Sequence, residues 1–112
     1  MEIIHMGPED LLDFDDYQSA AATYVRGGVK DNPALYALHA LAEEIGEVHA
    51  IYAKALRKEV DIDLEDLASE LGDVLWNLSL LAETYGLSLA EIAADNLKKL
   101  EGRNQDGTII ER

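Results

Sequence analysis

The chain has 112 residues, 48% of them hydrophobic, which suits one folded domain with one core and excludes a disordered chain. With no cysteine, disulfides, zinc–thiolate centres and thiol catalysis are excluded. A net charge of −14, from 23 acids against 9 bases, makes nucleic acid and anionic membrane unfavourable partners.

Proline and glycine divide the chain. The first predicted helix covers about 13–26, DFDDYQSAAATYVR, with acids in its first turn, where the helix dipole favours them, and Gly27-Gly28 as its stop. Asn32-Pro33 reads as an N-cap followed by proline at the first helical position, opening a second helix over about 33–58. Its apolar stripe is Leu38, Leu41, Ile45, Val48, Tyr52 and Ala55, in steps of three and four. After a short acidic connection, Asp63 is the expected N-cap of a third helix, about 64–85, with the stripe Leu67, Leu71, Val74, Leu78, Leu81 and Tyr85 and a stop at Gly86.

Ser88-Leu89-Ala90-Glu91 has the form of a capping box and predicts a fourth helix over about 88–101, ended by Gly102. The tail RNQDGTIIER holds a turn at Asp106-Gly107 and then a β-prone piece. No segment alternates strongly enough to form a sheet, so the expected architecture is all-α and four-helix-bundle-like. The expectation is a single domain over residues 1–112, with its helical core at about 13–102 and a tail at 103–112. The second and third helices are apolar over more than one face, and so short a chain has few helices to cover them. Self-association into a larger bundle follows as an expectation.

Two short runs carry the chemistry. Glu44-Ile45-Gly46-Glu47 and Glu70-Leu71-Gly72-Asp73 are near copies, each with two acids three residues apart. That spacing puts both acids of a run on one helix face. If the two helices pair antiparallel, four carboxylates converge, and either one takes a proton or a cation sits among them. Oxygen donors without thiolates suit Mg²⁺ or Mn²⁺. Asp73 fits a solvated surface poorly, because VLWNLSLLA follows it with only Asn77 and Ser79 as polar groups. The two glycines are expected to let a helix or a substrate approach closely.

A di-iron bundle would need histidine three residues after a glutamate, and Glu47 and Asp73 stand there instead. An EF-hand fails because Asp66 occupies the position its loop reserves for glycine. The histidines receive no role. Lys54, Arg57 and Lys58 close the second helix, where cations favour the dipole. Asn96, Lys99 and Arg103 continue the line of Ile92 and form a cationic strip suited to phosphate.

Glu-Glu-x-x-Glu, a spacer and then Glu-x-x-Asp resembles the signature of the MazG-type all-α nucleoside triphosphate pyrophosphohydrolases. The run ELGDVLWNLSLLAETYGLSLAEIAADNLKKLEGR is similar to the second half of such a domain, and the likeness spans roughly residues 13–103. It points to the small single-domain form found in phages and bacteria, oligomeric as a homodimer or homotetramer. The resemblance implies Mg²⁺-dependent conversion of a (d)NTP to the monophosphate and pyrophosphate, with Mn²⁺ as a substitute and dGTP or dCTP as candidate substrates in dNTP pool control. By carry-over, Glu44, Glu47, Glu70 and Asp73 hold metal, and Glu43 and Glu47 are the candidate catalytic carboxylates. Asn96, Lys99 and Arg103 hold phosphates, Asn77 touches sugar or base, and Lys54 is a further phosphate contact. A non-catalytic acidic module binding Mg-nucleotide or a protein, and a dUTPase-like relative, are the alternatives. No secretory signal opens the chain, so a cytoplasmic location is expected, in the host if the protein is phage-encoded.

Overall fold

The computed structural model describes residues 12–107. Four α-helices follow in order: α1 (Phe14–Ala22), α2 (Pro33–Lys58), α3 (Leu64–Thr84) and α4 (Leu89–Asp106), with a 3₁₀ turn at Gly27–Lys30 between α1 and α2. No strand occurs among the described residues, so the architecture is all-α. The β-prone piece 108–112 lies outside them. No described helix is long and apolar enough to cross a membrane.

Local signals account for most helix ends. Asp13 caps α1 by accepting from the Asp16 amide at 2.8 Å. Asp63 caps α3 by accepting from Glu65 and Asp66, and Ser88 caps α4 by accepting from Glu91. Gly86, at φ 68°, ends α3 in a Schellman turn: the Leu87 amide donates to Ala82 O at 2.9 Å and that of Gly86 to Glu83 O at 3.1 Å. Two ends differ from expectation. Helix α1 stops at Ala22, four residues early, with the Thr23 hydroxyl turned back onto Ala20 O. Helix α4 runs through Gly102 and ends only where Gly107 adopts φ 78°. A lone glycine weakens a helix by about 1 kcal/mol without ending it; a positive φ ends it.

Helices α2 and α3 form the backbone of the fold, packed along their length and joined by only Glu59–Asp63. They are antiparallel. Leu35 and Leu38, early in α2, share a recess with Leu81 and Tyr85, late in α3. Lys54 and Lys58, late in α2, share one with Asp63 and Asp66.

Helix α1 lies on α3 and holds the start of α4. Gln18, buried in α1, donates Nε2–H to Leu87 O and accepts from the Leu89 amide, both at 2.8 Å. Trp76 Nε1–H donates to Ala21 O at 3.1 Å.

The buried core is made largely of small residues: Ala21, Ala37, Ala40 and Ala82, with Ser79 and the larger Leu80 and Leu89. Leu71 and Leu78, expected in the core, are 51% and 39% exposed. So are Leu38, Ile45 and Tyr52 of the α2 stripe, at about half each.

Candidate active site

The α2–α3 pairing brings the two acidic runs together. Glu44, Glu70 and Asp73 each offer a carboxylate oxygen, and these oxygens lie within 4.8 Å of one another. Glu44 and Glu70 are half-buried against the facing helix, and Asp73 is open to solvent. Three carboxylates this close cannot all remain ionised without a counter-charge. The Glu44 carboxyl is pushed up to about 7, first by a hydrogen bond shared with Glu70, then by burial, then by the charges of Asp73, Glu70 and Glu43. Glu70 Oε2 is buried without a hydrogen-bond partner. Three carboxylates grouped this closely, one of them carrying an orphan buried oxygen, make a donor set of the kind a hard cation takes.

Glu47 stands one turn beyond Glu44 on α2, exposed and outside that group of three. Glu43 is also exposed and forms the edge of a different feature, a recess of about 420 Å³ between α2 and the 3₁₀ turn. Asn32, Tyr36, His39 and Ala40 line the recess with Gly28 and Val29. Tyr36 meets Trp76 of α3 edge to face, ring centroids 6.4 Å apart.

Asn77 does not reach the surface. It is 2% exposed, its Nδ2 donates to Asp73 O at 3.0 Å, and its Oδ1 has no partner. Its place is beneath Asp73, on the third helix's buried face. Lys54 lies ten residues from Glu44, about 15 Å along the helix, in the recess with Lys58, Asp61, Asp63 and Asp66. Asn96 and Lys99 are exposed on α4 and Arg103 is half-buried; α4 packs on α1 and α3 but not on α2. The glycines of the two runs make no close approach within the chain. A Cβ at Gly46 or Gly72 would meet nothing within 4 Å.

Tyr17 lies near enough to feel the charge of Asp73, a neighbour the sequence does not show. It is half-buried on α1, and its hydroxyl is held above the usual phenol range by burial and then by the charge of Asp73. Nothing local marks it, since only the packing of α1 on α3 brings it there. Tyr36 did carry a signal: with Ala40 and Glu43 it steps by four and three along α2, a line leading to the acidic run.

The family model of the MazG nucleotide pyrophosphohydrolase domain matches residues 34–108. The chain belongs to this family. The match contains α3, α4 and all of α2 but its first residue, and therefore both acidic runs. The chain is also similar to the Gene 37 protein of Mycobacterium phage L5, 33% identical over 104 residues, which cover 85% of this chain and 91% of the phage protein. No solved structure gives a significant match.

Proposed function

We propose that this MazG-family protein is a divalent-metal-dependent pyrophosphohydrolase that converts a (d)NTP to the monophosphate and pyrophosphate, in control of the dNTP pool. The observation that carries the reading is the convergence of Glu44, Glu70 and Asp73 oxygens within 4.8 Å, with Glu70 Oε2 left unpaired. These three residues hold the cation, with Glu47 one turn away as the fourth carboxylate. Bound Mg²⁺ or Mn²⁺ would offset the charge of a triphosphate, polarise the phosphoryl group and acidify a water.

The chain's own groups supply the remaining functions. Glu43 or Glu47 accepts the proton of the attacking water. Lys99 and Arg103, with Asn96, and Lys54 more peripherally, stabilise the departing pyrophosphate. Asn77 is a positioning residue in this reading: it braces Asp73 from below and does not touch the nucleotide. The recess beside Glu43 has the size of a small-ligand site, and Tyr36, His39 and Asn32 offer it one aromatic and two polar groups. It is the proposed seat of the base, with dGTP or dCTP as the candidate substrates. Assembly as a homodimer or homotetramer in the cytoplasm belongs to the same reading.

The test is to incubate the purified protein with each dNTP and NTP in Mg²⁺ and to quantify monophosphate and pyrophosphate. Turnover of dUTP alone would make the protein dUTPase-like. No turnover of any nucleotide would sink the enzyme reading and leave a nucleotide-binding module.

A further inference from the structure

Trp76, the chain's only tryptophan, is tied to both walls of the recess beside Glu43 without lining it. One wall is on α2, with Tyr36, His39 and Ala40; the other is the 3₁₀ turn, with Gly28 and Val29. Toward the first wall, Trp76 meets Tyr36 edge to face, ring planes 73° apart. Aromatic pairs favour this arrangement, so the contact fixes an orientation as well as a distance. Tyr36 is 41% exposed, so the neighbours that hold its ring decide how it presents to the recess.

Toward the second wall, Trp76 Nε1–H donates to Ala21 O, near the end of α1. The same oxygen accepts from the Tyr24 amide at 3.2 Å. The chain from there to the 3₁₀ turn is stitched to itself. The Thr23 amide and hydroxyl both donate to Ala20 O, and the Arg26 guanidinium donates to Thr23 O and Val25 O. A connection held this way carries a shift of α1 on to Gly28 and Val29. Trp76 also stands one turn after Asp73, on the helix that carries Glu70. One side chain thus links the two walls of the recess to the helix of the carboxylate group.

We infer that Trp76 is a positioning residue for the nucleotide base: from α3 it holds Tyr36 on one wall and the end of α1 behind the other, and so fixes where the base sits relative to the cation. The inference rests on the recess being the seat of the base, and it adds the residue that sets the shape of that seat. A nucleotide's base and phosphates are joined at a limited range of distances. A recess displaced from Glu44, Glu70 and Asp73 therefore loses the substrate even when the cation is still bound.

The test is Trp76→Leu, which removes the ring and the N–H together, and Trp76→Phe, which keeps a ring for Tyr36 and loses the bond to Ala21 O. With the dNTP that the wild type turns over best, Trp76→Leu should raise KM about tenfold, Trp76→Phe less, and kcat should move little. Inhibition by inorganic pyrophosphate, which has no base, and Mn²⁺ affinity by calorimetry should stay within about twofold. Tyr36→Leu combined with Trp76→Leu should raise KM by less than the product of the single effects, because Trp76 acts partly through Tyr36. An unchanged KM overturns the inference. So does an equal loss for nucleotide and pyrophosphate, which would make Trp76 a packing residue only. If Trp76→Leu does not fold, Trp76→Phe decides by the same comparison of nucleotide with pyrophosphate. If the wild type turns over no nucleotide, the hydrolytic reading fails by itself and Trp76 emission decides the inference. A saturable change on adding a dNTP in Mg²⁺, absent with pyrophosphate, supports it, and flat emission with every dNTP overturns it.

Discussion

Proton and cation compete for Glu44, and the competition is measurable. In the metal-free chain its carboxyl is pushed up to about 7 from an ordinary 4.5, chiefly by the hydrogen bond it shares with Glu70. A cation needs that carboxylate ionised, so the proton must leave on binding. With the group near 7, apparent Mn²⁺ or Mg²⁺ affinity should fall about tenfold between about pH 8 and about pH 6, and about tenfold again by about pH 5. An unshifted glutamate would change affinity by only a few per cent over the first interval.

Calorimetry in buffers of differing ionisation enthalpy gives both the affinity and the protons released, close to one per site near pH 6. The same shift sets a stability trend. The folded chain keeps a proton that the unfolded chain loses above about 4.5, so the metal-free protein loses stability as pH rises from about 4.5 to about 7. Glu44 is partly exposed, so screening reduces the effect to about 1–2 kcal/mol. Saturating cation should restore it. Affinity that is flat between about pH 8 and about pH 6, with no proton released, would refute the argument that these three carboxylates form one cation site.

Asp73→Ala should abolish turnover in the nucleotide assay while leaving the helical spectrum intact, and metal-free stability should hold or rise because a repelling acid is gone; wild-type turnover would remove Asp73 from the ligand set. Gln18→Ala strips two 2.8 Å hydrogen bonds, one buried and one part-buried, and leaves the Leu89 amide without its side-chain partner, so urea unfolding should show a loss of about 2–4 kcal/mol. A loss below about 0.5 kcal/mol would mean that Gln18 does not hold α1 to the α3–α4 turn.

The helices themselves are legible along the chain because their causes are local. Asp63 and Ser88 mark ends through side-chain caps, Gly86 through positive φ, and Pro33 by standing at the first helical position although Asn32 makes no side-chain capping bond; Pro33–Lys58 forms as the spacing predicts. The repeated acid pairs predict that one carboxylate must take a proton or a cation, and Glu44 carries that strain. Other features depend on neighbours that no local pattern identifies. Periodicity separates apolar from polar faces but cannot say which apolar face meets the chain's own helices. Ala37 and Ala40 are buried, while Leu38, Ile45 and Leu71 stay exposed, because two helices joined by a short turn can cover only one side of each other. Spacing likewise put Asn77 on the nucleotide side, but packing leaves it 2% exposed, its Nδ2 turned back onto Asp73 O. Tyr17 comes within the field of Asp73 only because Trp76 and Gln18 pin α1 across α3 and the start of α4. The sequence by itself determined the helices and the acids they carry. Tertiary packing decided which three acids share a cation-sized space, which polar groups lie beneath them, and which apolar face stays exposed.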